Sequence, residues 1–328
     1  RLYLSSNRAF NNFISLPMLE DIYSYDPIPS PDGATSTATL HVPGFSLPMF
    51  RDNPDYYGVN KIVALEENIT ELNVYSDLTI STNESLADKF DLKLEMGGRL
   101  QNDFTGSLSV GNFTQEYGYM HDRYSGPTLI SNGDITADNV TVSLGLRNRE
   151  WSFISFPFSV DINTITTPNE ALWVVREYNG ATRANRVDNT VSSWENTTSM
   201  MEGGKGYILH FSSNSGDNFT FTAVDDAKKN NLFAKDDVIL NLEYNPAPEG
   251  FEHNSSWNLV GNPYDAFFAL SKMEISDNAN IITVWDRGYN TYEAFSFVDD
   301  WDAHALSPFE AFFVQAPRDN AAVTFHKD

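Results

Sequence analysis

An internal duplication constrains this chain more than any other feature. Trp151-Ser-Phe-Ile-Ser-Phe-Pro157-Phe158 matches Trp257-Asn-Leu-Val-Gly-Asn-Pro263-Tyr264 as W-x-[FL]-[IV]-x-x-P-[FY]. Downstream, Leu172-Trp173-Val-Val-Arg-Glu-Tyr178-Asn179 parallels Val284-Trp285-Asp-Arg-Gly-Tyr289-Asn290. Gly206-Tyr207-Ile208-Leu209 then parallels Ala311-Phe312-Phe313-Val314, and Phe219-Thr-Phe221 parallels Val323-Thr-Phe325. The matches fall in the same order in both copies, so the chain repeats one unit. Each copy opens on an aromatic-led strand that a proline must end or confine to an edge. Each closes on short runs of period-two alternation, which fit strands and not helices. Strands of this kind must bury a face, so the copies are expected as two-sheet sandwiches or as halves of one.

The remaining chain divides by texture. Over 1–60, Pro17, Pro27, Pro29, Pro31, Pro43, Pro48 and Pro54 interrupt nearly every potential element. That segment reads as irregular or linker-like, with Ser24–Thr39 extended and one strand at Thr39–Val42. From Lys61, short alternating segments such as Leu72-Asn-Val74, Leu92-Lys-Leu94 and Val140-Thr-Val142 are separated by Gly- and Asn-bearing corners. Blocks of about 20 residues with such corners predict the stacked coils of a parallel β-helix, and an antiparallel sheet with hairpin turns is the competing reading. The expected fold is therefore all-β: a short parallel β-helix-like part followed by two tandem β-sandwich, jelly-roll-like repeats. Its divisions are 1–60 irregular, 61–150 solenoid-like, 151–227 first repeat, 228–256 connector strand and linker, and 257–328 second repeat. The one helix candidate is Ala266–Met273.

Composition excludes whole classes of function. With 45 acidic against 21 basic residues and a net charge of −24, the chain is a poor partner for nucleic acid, whose binding rests on Lys and Arg neutralising phosphates. Anionic membrane surfaces are disfavoured for the same reason. No apolar run approaches the ~20 residues that span a bilayer as a helix. The absence of cysteine removes disulfides, thiol nucleophiles and Cys-ligated metals. Many Thr, Ser, Asn and Asp residues beside 13% aromatics lean towards an extracellular protein. The opening at Arg1, without Met or signal peptide, reads as a piece of something longer.

The Pro127-Thr-Leu129-Ile130-Ser-Asn132-Gly133 coil, the Trp151–Pro157 unit, the Trp257–Tyr264 unit, Ile282–Asp286 and Pro308–Val314 together resemble a layout found in large secreted proteins of the Bacteroidota. The resemblance covers roughly 61–326, and its motifs are strand and turn signatures. It implies a secreted or cell-surface module of adhesin-like multidomain proteins exported by type IX secretion. The implied partners are other domains of the same chain or the machinery of secretion and surface attachment. Such proteins usually finish with a C-terminal sorting domain, and nothing after Phe325 resembles one.

No constellation in the sequence points to catalysis. The histidines His41, His121, His210, His253, His304 and His326 show no metal-ligand spacing, and no serine sits in a nucleophile elbow. Gly203-Gly204-Lys205-Gly206 lacks the P-loop spacing and reads as a turn. The acidic run with Asp299, Asp300 and Asp302 supplies the oxygen ligands that calcium takes, which makes calcium the one candidate cofactor. Aromatics beside polar loop residues are candidates for stacking on sugar rings. These are Trp285, Tyr289, Tyr292 and Trp301 in the second copy, and Trp173 and Tyr178 in the first. Trp151 and Trp257 are expected in the core. The leading expectation is thus a non-enzymatic extracellular structural or docking module. A carbohydrate-binding module is the alternative, and a glycan-active β-helix enzyme the third reading.

Overall fold

Strands whose apolar residues alternate bury one face, and strands buried on both faces read as continuous apolar runs. Both kinds occur in this chain, and they divide its work. The computed structural model describes residues 3–4, 21–24, 39–42, 61–64, 69–74, 77–119, 126–188, 190–197, 199–224, 236–286, 291–296 and 305–327. The chain forms two units: residues 1–116 with 124–140, and residues 117–123 with 141–328. Among the described residues the structure is nearly all β, as expected, with one short α-helix.

In the first unit, β1 (Tyr3–Leu4), β2 (Asp21–Ser24), β3 (Thr39–Val42) and β4 (Lys61–Ala64) pair in parallel in chain order. None exceeds four residues, in keeping with the density of prolines between them. β3 is the one strand anticipated there. Next come β5 (Ile69–Val74), β6 (Asp77–Ile80), β7 (Leu86–Leu94), β8 (Arg99–Asn102), β9 (Ser107–Tyr119) and β10 (Thr128–Ser131). They alternate between two sheets: β5, β7 and β9 pair in parallel in one, and β6, β8 and β10 in the other. The registers stack Leu72 on Leu92 on Phe113, and Leu78 on Leu100 on Leu129, all buried. Parallel neighbours need crossover connections, so the antiparallel hairpin reading does not describe these strands. Polar side chains keep the same register. Asn102, fully buried, donates from Nδ2 to Ser131 Oγ at 2.7 Å. Asn112 donates to Asp91, and Asn139 of β11 (Asp134–Gly145) donates to Asn112 Oδ1 at 3.1 Å.

The second unit holds the duplication. The first copy comprises β12 (Trp151–Ile154), β13 (Val160–Asp161), β14 (Leu172–Tyr178), α1 (Gly180–Ala184), β15 (Trp194–Asn196), β16 (Met200–Met201), β17 (Tyr207–Ser212) and β18 (Asn218–Thr222). The second comprises β19 (Val238–Asn241), β20 (Trp257–Gly261), β21 (Phe268–Ala269), β22 (Met273–Ile275), β23 (Ile281–Asp286), β24 (Thr291–Ser296), β25 (Ala305–Leu306), β26 (Ala311–Gln315) and β27 (Ala322–Phe325). Their large sheets run β12-β17-β14-β15 and β20-β26-β23-β24, the same order in both. Their small sheets, β13-β16 and β21-β25, also correspond. Thr141–Gly145 of β11 pairs antiparallel with β18, as β19 pairs with β27, so each copy takes in the strand that precedes its tryptophan. The helix expected at Ala266–Met273 is instead β21, one 3-10 turn at Leu270–Lys272, and the start of β22. Phe268 and Leu270 are both buried there, and Phe268 stacks on Tyr264 at 5.5 Å, so core contacts on a strand and turn outweigh local helix preference.

One inner strand of each large sheet, β17 in the first copy and β26 in the second, is buried on both faces. Phe312 and Val314 enter the second copy's own core with Val323 and Phe325, while Ala311 and Phe313 point to the other copy. In β17, Ile208 points across likewise, and Phe211 packs on Phe219 at 4.9 Å. Asn262 of the second Trp-led motif is buried and donates from Nδ2 to the carbonyls of Ala266, Leu306 and Ser307. Its Oδ1 accepts from the Tyr264 N–H at 3.0 Å. That asparagine is a corner bracket, which gives the motif a structural reason.

Candidate functional site

The two copies meet through equivalent residues. The pairings Trp151–His210 and Trp257–Gln315 fix the correspondence of β12 with β20 and of β17 with β26. Ser155 then corresponds to Gly261, Gly204 to Phe309, Lys205 to Glu310 and Gly206 to Ala311. The contacts obey the same exchange. Ser155 N–H donates to Phe309 O at 3.0 Å, and Gly261 N–H donates to Gly204 O at 3.3 Å. Ile154 bridges Glu310, and Val260 bridges Lys205. A Cβ on Gly261 would lie 2.1 Å from the Ser155 Cβ, and one on Gly206 would lie 3.0 Å from the Ala311 Cβ. Equivalent surfaces in mutual contact are the signature of an isologous interface, here within one chain.

On either side of this pseudo-two-fold lies an aromatic pair. Arg176 pairs with Ile208 and Thr283 with Phe313, so Tyr178 is the counterpart of Trp285. Tyr178 lies opposite Trp194 and Trp285 opposite Tyr292, the same cross-strand pair with its members exchanged. The two pairs share one geometry: ring centroids 5.2 Å apart at 68° and 4.9 Å apart at 69°. Phe153 and Phe313 fill the centre, and Phe313 lies 4.8 Å from Tyr178 and 5.8 Å from Tyr292.

The exchange is broken at two places, and a cleft of about 510 Å³ opens there. Arg176 lies over the Trp151 ring at 5.3 Å, but its counterpart beside Trp257 is the short Thr283, which lines the cleft. The described residues between β14 and β15 carry α1 and form the other wall, which includes Arg183, Arg186, Thr190, Val191 and Ser193. Asn179 caps α1 by accepting from the Thr182 N–H at 2.8 Å, and donates from Nδ2 to Glu195 at 2.7 Å. Asn254 Nδ2 donates to Arg186 O at 2.8 Å, which ties this wall to the second copy. The aromatic lining is Tyr178, Trp194, Trp257, Tyr292 and Phe313.

The cleft's electrostatics run against those of the chain. Its described lining includes Arg183 and Arg186 and no Asp or Glu. Burial raises the Tyr178 and Tyr292 hydroxyls above their ordinary range, while the Arg183 charge acts on both in the opposite direction. Both therefore remain protonated donors at neutral pH. Ser193, buried at 4% exposure, has an Oγ with no hydrogen-bond partner among the described residues. A second groove, of about 580 Å³, is polar and includes Glu177, Lys205, Asn241, Glu243 and Asn258. There Lys205 Nζ is bound to Glu177 at 2.6 Å. Burial pulls the Lys205 pKa down, but the Glu177 hydrogen bond and the charges of Tyr207, Glu177 and Glu202 together raise it on balance, so the lysine is held charged in an ion pair. The Gly203–Gly206 segment is a turn between strands, with Gly204 at φ +79°.

Of the aromatics predicted from sequence, Tyr178, Trp285 and Tyr292 come together around this cluster. Trp285 stacks flat on Phe153 at 5.5 Å and is packing, and Tyr292 is 48% exposed at the cleft. Trp173 does not join them; it faces the first copy's own core, 6.2 Å from Phe219. Trp257, expected in the core, is half-buried and donates from its indole N–H to His253 O at 2.9 Å while lining the cleft. Tyr289, Trp301, Asp299, Asp300 and Asp302 lie outside the described residues. Among the described residues, no group of three or more His, Cys, Asp or Glu is placed to hold a metal ion. Sequence reasoning missed Trp194 and Arg183, which lie outside every duplicated segment. No known protein family, curated protein or solved structure matches the chain.

Proposed function

We propose that the second unit is a non-enzymatic carbohydrate-binding module, and that it serves a secreted or cell-surface protein as a docking element. The observation that carries this reading is the aromatic cleft beside Trp194, Trp257 and Tyr292. Sugar rings present apolar C–H faces and a rim of hydroxyls, and they are bound by flat aromatic surfaces flanked by polar donors and acceptors. The cleft supplies both, with Thr190, Ser193 and two tyrosine hydroxyls among the rings. Its described lining has no carboxylate, whereas glycoside hydrolysis ordinarily uses a pair of them, which favours binding over catalysis.

The test is binding of the full chain to a broad glycan array, with hits competed by free sugar. The reading expects at least one competable hit that Tyr292→Ala abolishes while the melting temperature stays within a few degrees of wild type. Silence across the array would reject the sugar, and a hit that survives the substitution would reject the cleft.

A further inference from the structure

We infer that the cleft selects a carboxylate-bearing saccharide, one containing uronic or ulosonic acid residues. This rests on the carbohydrate reading above and adds to it the sign of the ligand's charge. In a chain with 45 acidic and 21 basic residues, a wall chosen without regard to charge would carry more acids than bases. The cleft carries the reverse: Arg183 and Arg186, and no Asp or Glu among its described lining residues.

The two arginines differ in what holds them. Arg186 donates from Nε to the Asp188 carbonyl at 2.9 Å, and its own carbonyl accepts from Asn254, so it braces the wall. Arg183 stands in the last turn of α1, half-buried, and forms no ion pair among the described residues. Its side chain lines the cleft with Tyr178 and Tyr292, one from each copy, and its charge acts on both hydroxyls. A guanidinium offers a planar fork of donors that fits a carboxylate in two parallel hydrogen bonds. Ser193 adds a buried hydroxyl with no partner among the described residues, at the same wall. The site thus has flat surface for the sugar ring, protonated phenols for its hydroxyls and one available cation for an acidic substituent. The described wall that carries the cation lies between β14 and β15 of the first copy.

The experiment titrates the full chain with galacturonate, glucuronate, mannuronate and sialyl oligosaccharides, each beside its carboxyl-reduced counterpart, with a sulfated neutral oligosaccharide as a further arm. Wild type is expected to bind at least one acidic member about tenfold more tightly than its reduced form, with the preference shrinking as salt rises. Arg183→Gln is expected to bring that ratio close to one and leave affinity for the reduced form within about twofold. Equal binding of acidic and reduced forms, or a ratio that Arg183→Gln leaves intact, overturns the inference and spares the carbohydrate reading. Binding of the sulfated member in place of every carboxylated one also overturns it. Failure of every sugar, acidic and neutral, overturns both. Because Arg183 is a half-buried side chain on a short helix, folding of the variant is checked by its melting curve. Arg183→Lys, which keeps charge and loses the fork, is expected to retain only part of the preference.

Discussion

Gly204 and Phe309 occupy the same place in the two copies and share a left-handed backbone, with φ of +79° and +60°. Each offers its carbonyl to the opposite copy, Gly204 to the Gly261 N–H and Phe309 to the Ser155 N–H. The backbone of the duplicated turn is thus conserved between the copies although one position is glycine and the other a buried phenylalanine. The second copy accepts a conformation that costs an L-residue roughly 1–2 kcal/mol, and it offsets that cost with packing. Phe309 is 2% exposed and lies 5.3 Å from both Phe156 and Tyr117. A Cβ on Gly204 would meet only Leu240 Cδ2, at 3.4 Å. Gly204→Ala is therefore expected to destabilise through backbone strain alone, by about 1 kcal/mol, or a few degrees in thermal melting.

The closest approach of the copies predicts a larger effect. A Cβ on Gly261 has no room beside Ser155, so Gly261→Ala is expected to cost about 1–3 kcal/mol through overpacking. Ser155→Gly in the same chain removes the opposing side chain and is expected to recover much of the loss. A double-mutant cycle by denaturant unfolding measures the coupling, and strictly additive costs would contradict the packing described.

Tyr117 donates its hydroxyl to Asp265 Oδ1 at 3.2 Å, with both residues buried. Burial, and then the Asp265 charge, raise the phenol well above its usual value, so it stays a donor at any ordinary pH. Tyr117→Phe is expected to cost about 1–3 kcal/mol by withdrawing that donor from a buried carboxyl. A cost below a few tenths, read from chemical denaturation, would show that the bond contributes nothing.

The closing strands carry a pH-sensitive clasp. His326 Nδ1 lies 2.8 Å from Asp237 Oδ2, and its Nε2 lies 3.5 Å from Glu274 Oε2. The hydrogen bond to Asp237 raises the imidazole pKa, and the Lys327 N–H and then His326 lower that of Asp237. A histidine raised on folding contributes fully below its unfolded value near 6.5 and loses that contribution as pH rises through the folded value. The depressed aspartate acts in the other direction, contributing above its unfolded value and losing it as pH falls. The difference in melting temperature between wild type and His326→Gln is thus expected to be largest near pH 6, to fade as pH rises through the raised imidazole pKa, and to be smaller in high salt. A difference that grows with pH would contradict the clasp.

How far the sequence carries depends on what each signal encodes. The duplication was legible because W-x-[FL]-[IV] strands need the same apolar register wherever they recur. Parallel stacking of Leu72, Leu92 and Phe113 was legible from the spacing of Gly- and Asn-bearing corners. The site was half legible. Tyr178, Trp285 and Tyr292 stand out as aromatics beside polar loop residues, but matching Trp173 to Trp285 by eye shifts the register by an odd number of residues. On a strand that exchanges one face for the other. Only the pairing of Arg176 with Ile208 and of Thr283 with Phe313 shows that Tyr178 is the counterpart. Trp194 carries no motif, and its place opposite Tyr178 comes from a hairpin closed across 179–193.

The central claim is that sugar binds where the copies' aromatic pairs meet the arginine-bearing wall. The most direct measurement is calorimetric titration of the array's best glycan into the full chain and into Trp194→Ala, Tyr292→Ala and Trp173→Ala, with melting curves for each. The account predicts about a tenfold or greater loss of affinity for the first two, worth ~1.4 kcal/mol or more, and unchanged affinity in Trp173→Ala wherever that variant folds. Wild-type affinity in folded Trp194→Ala and Tyr292→Ala would contradict it.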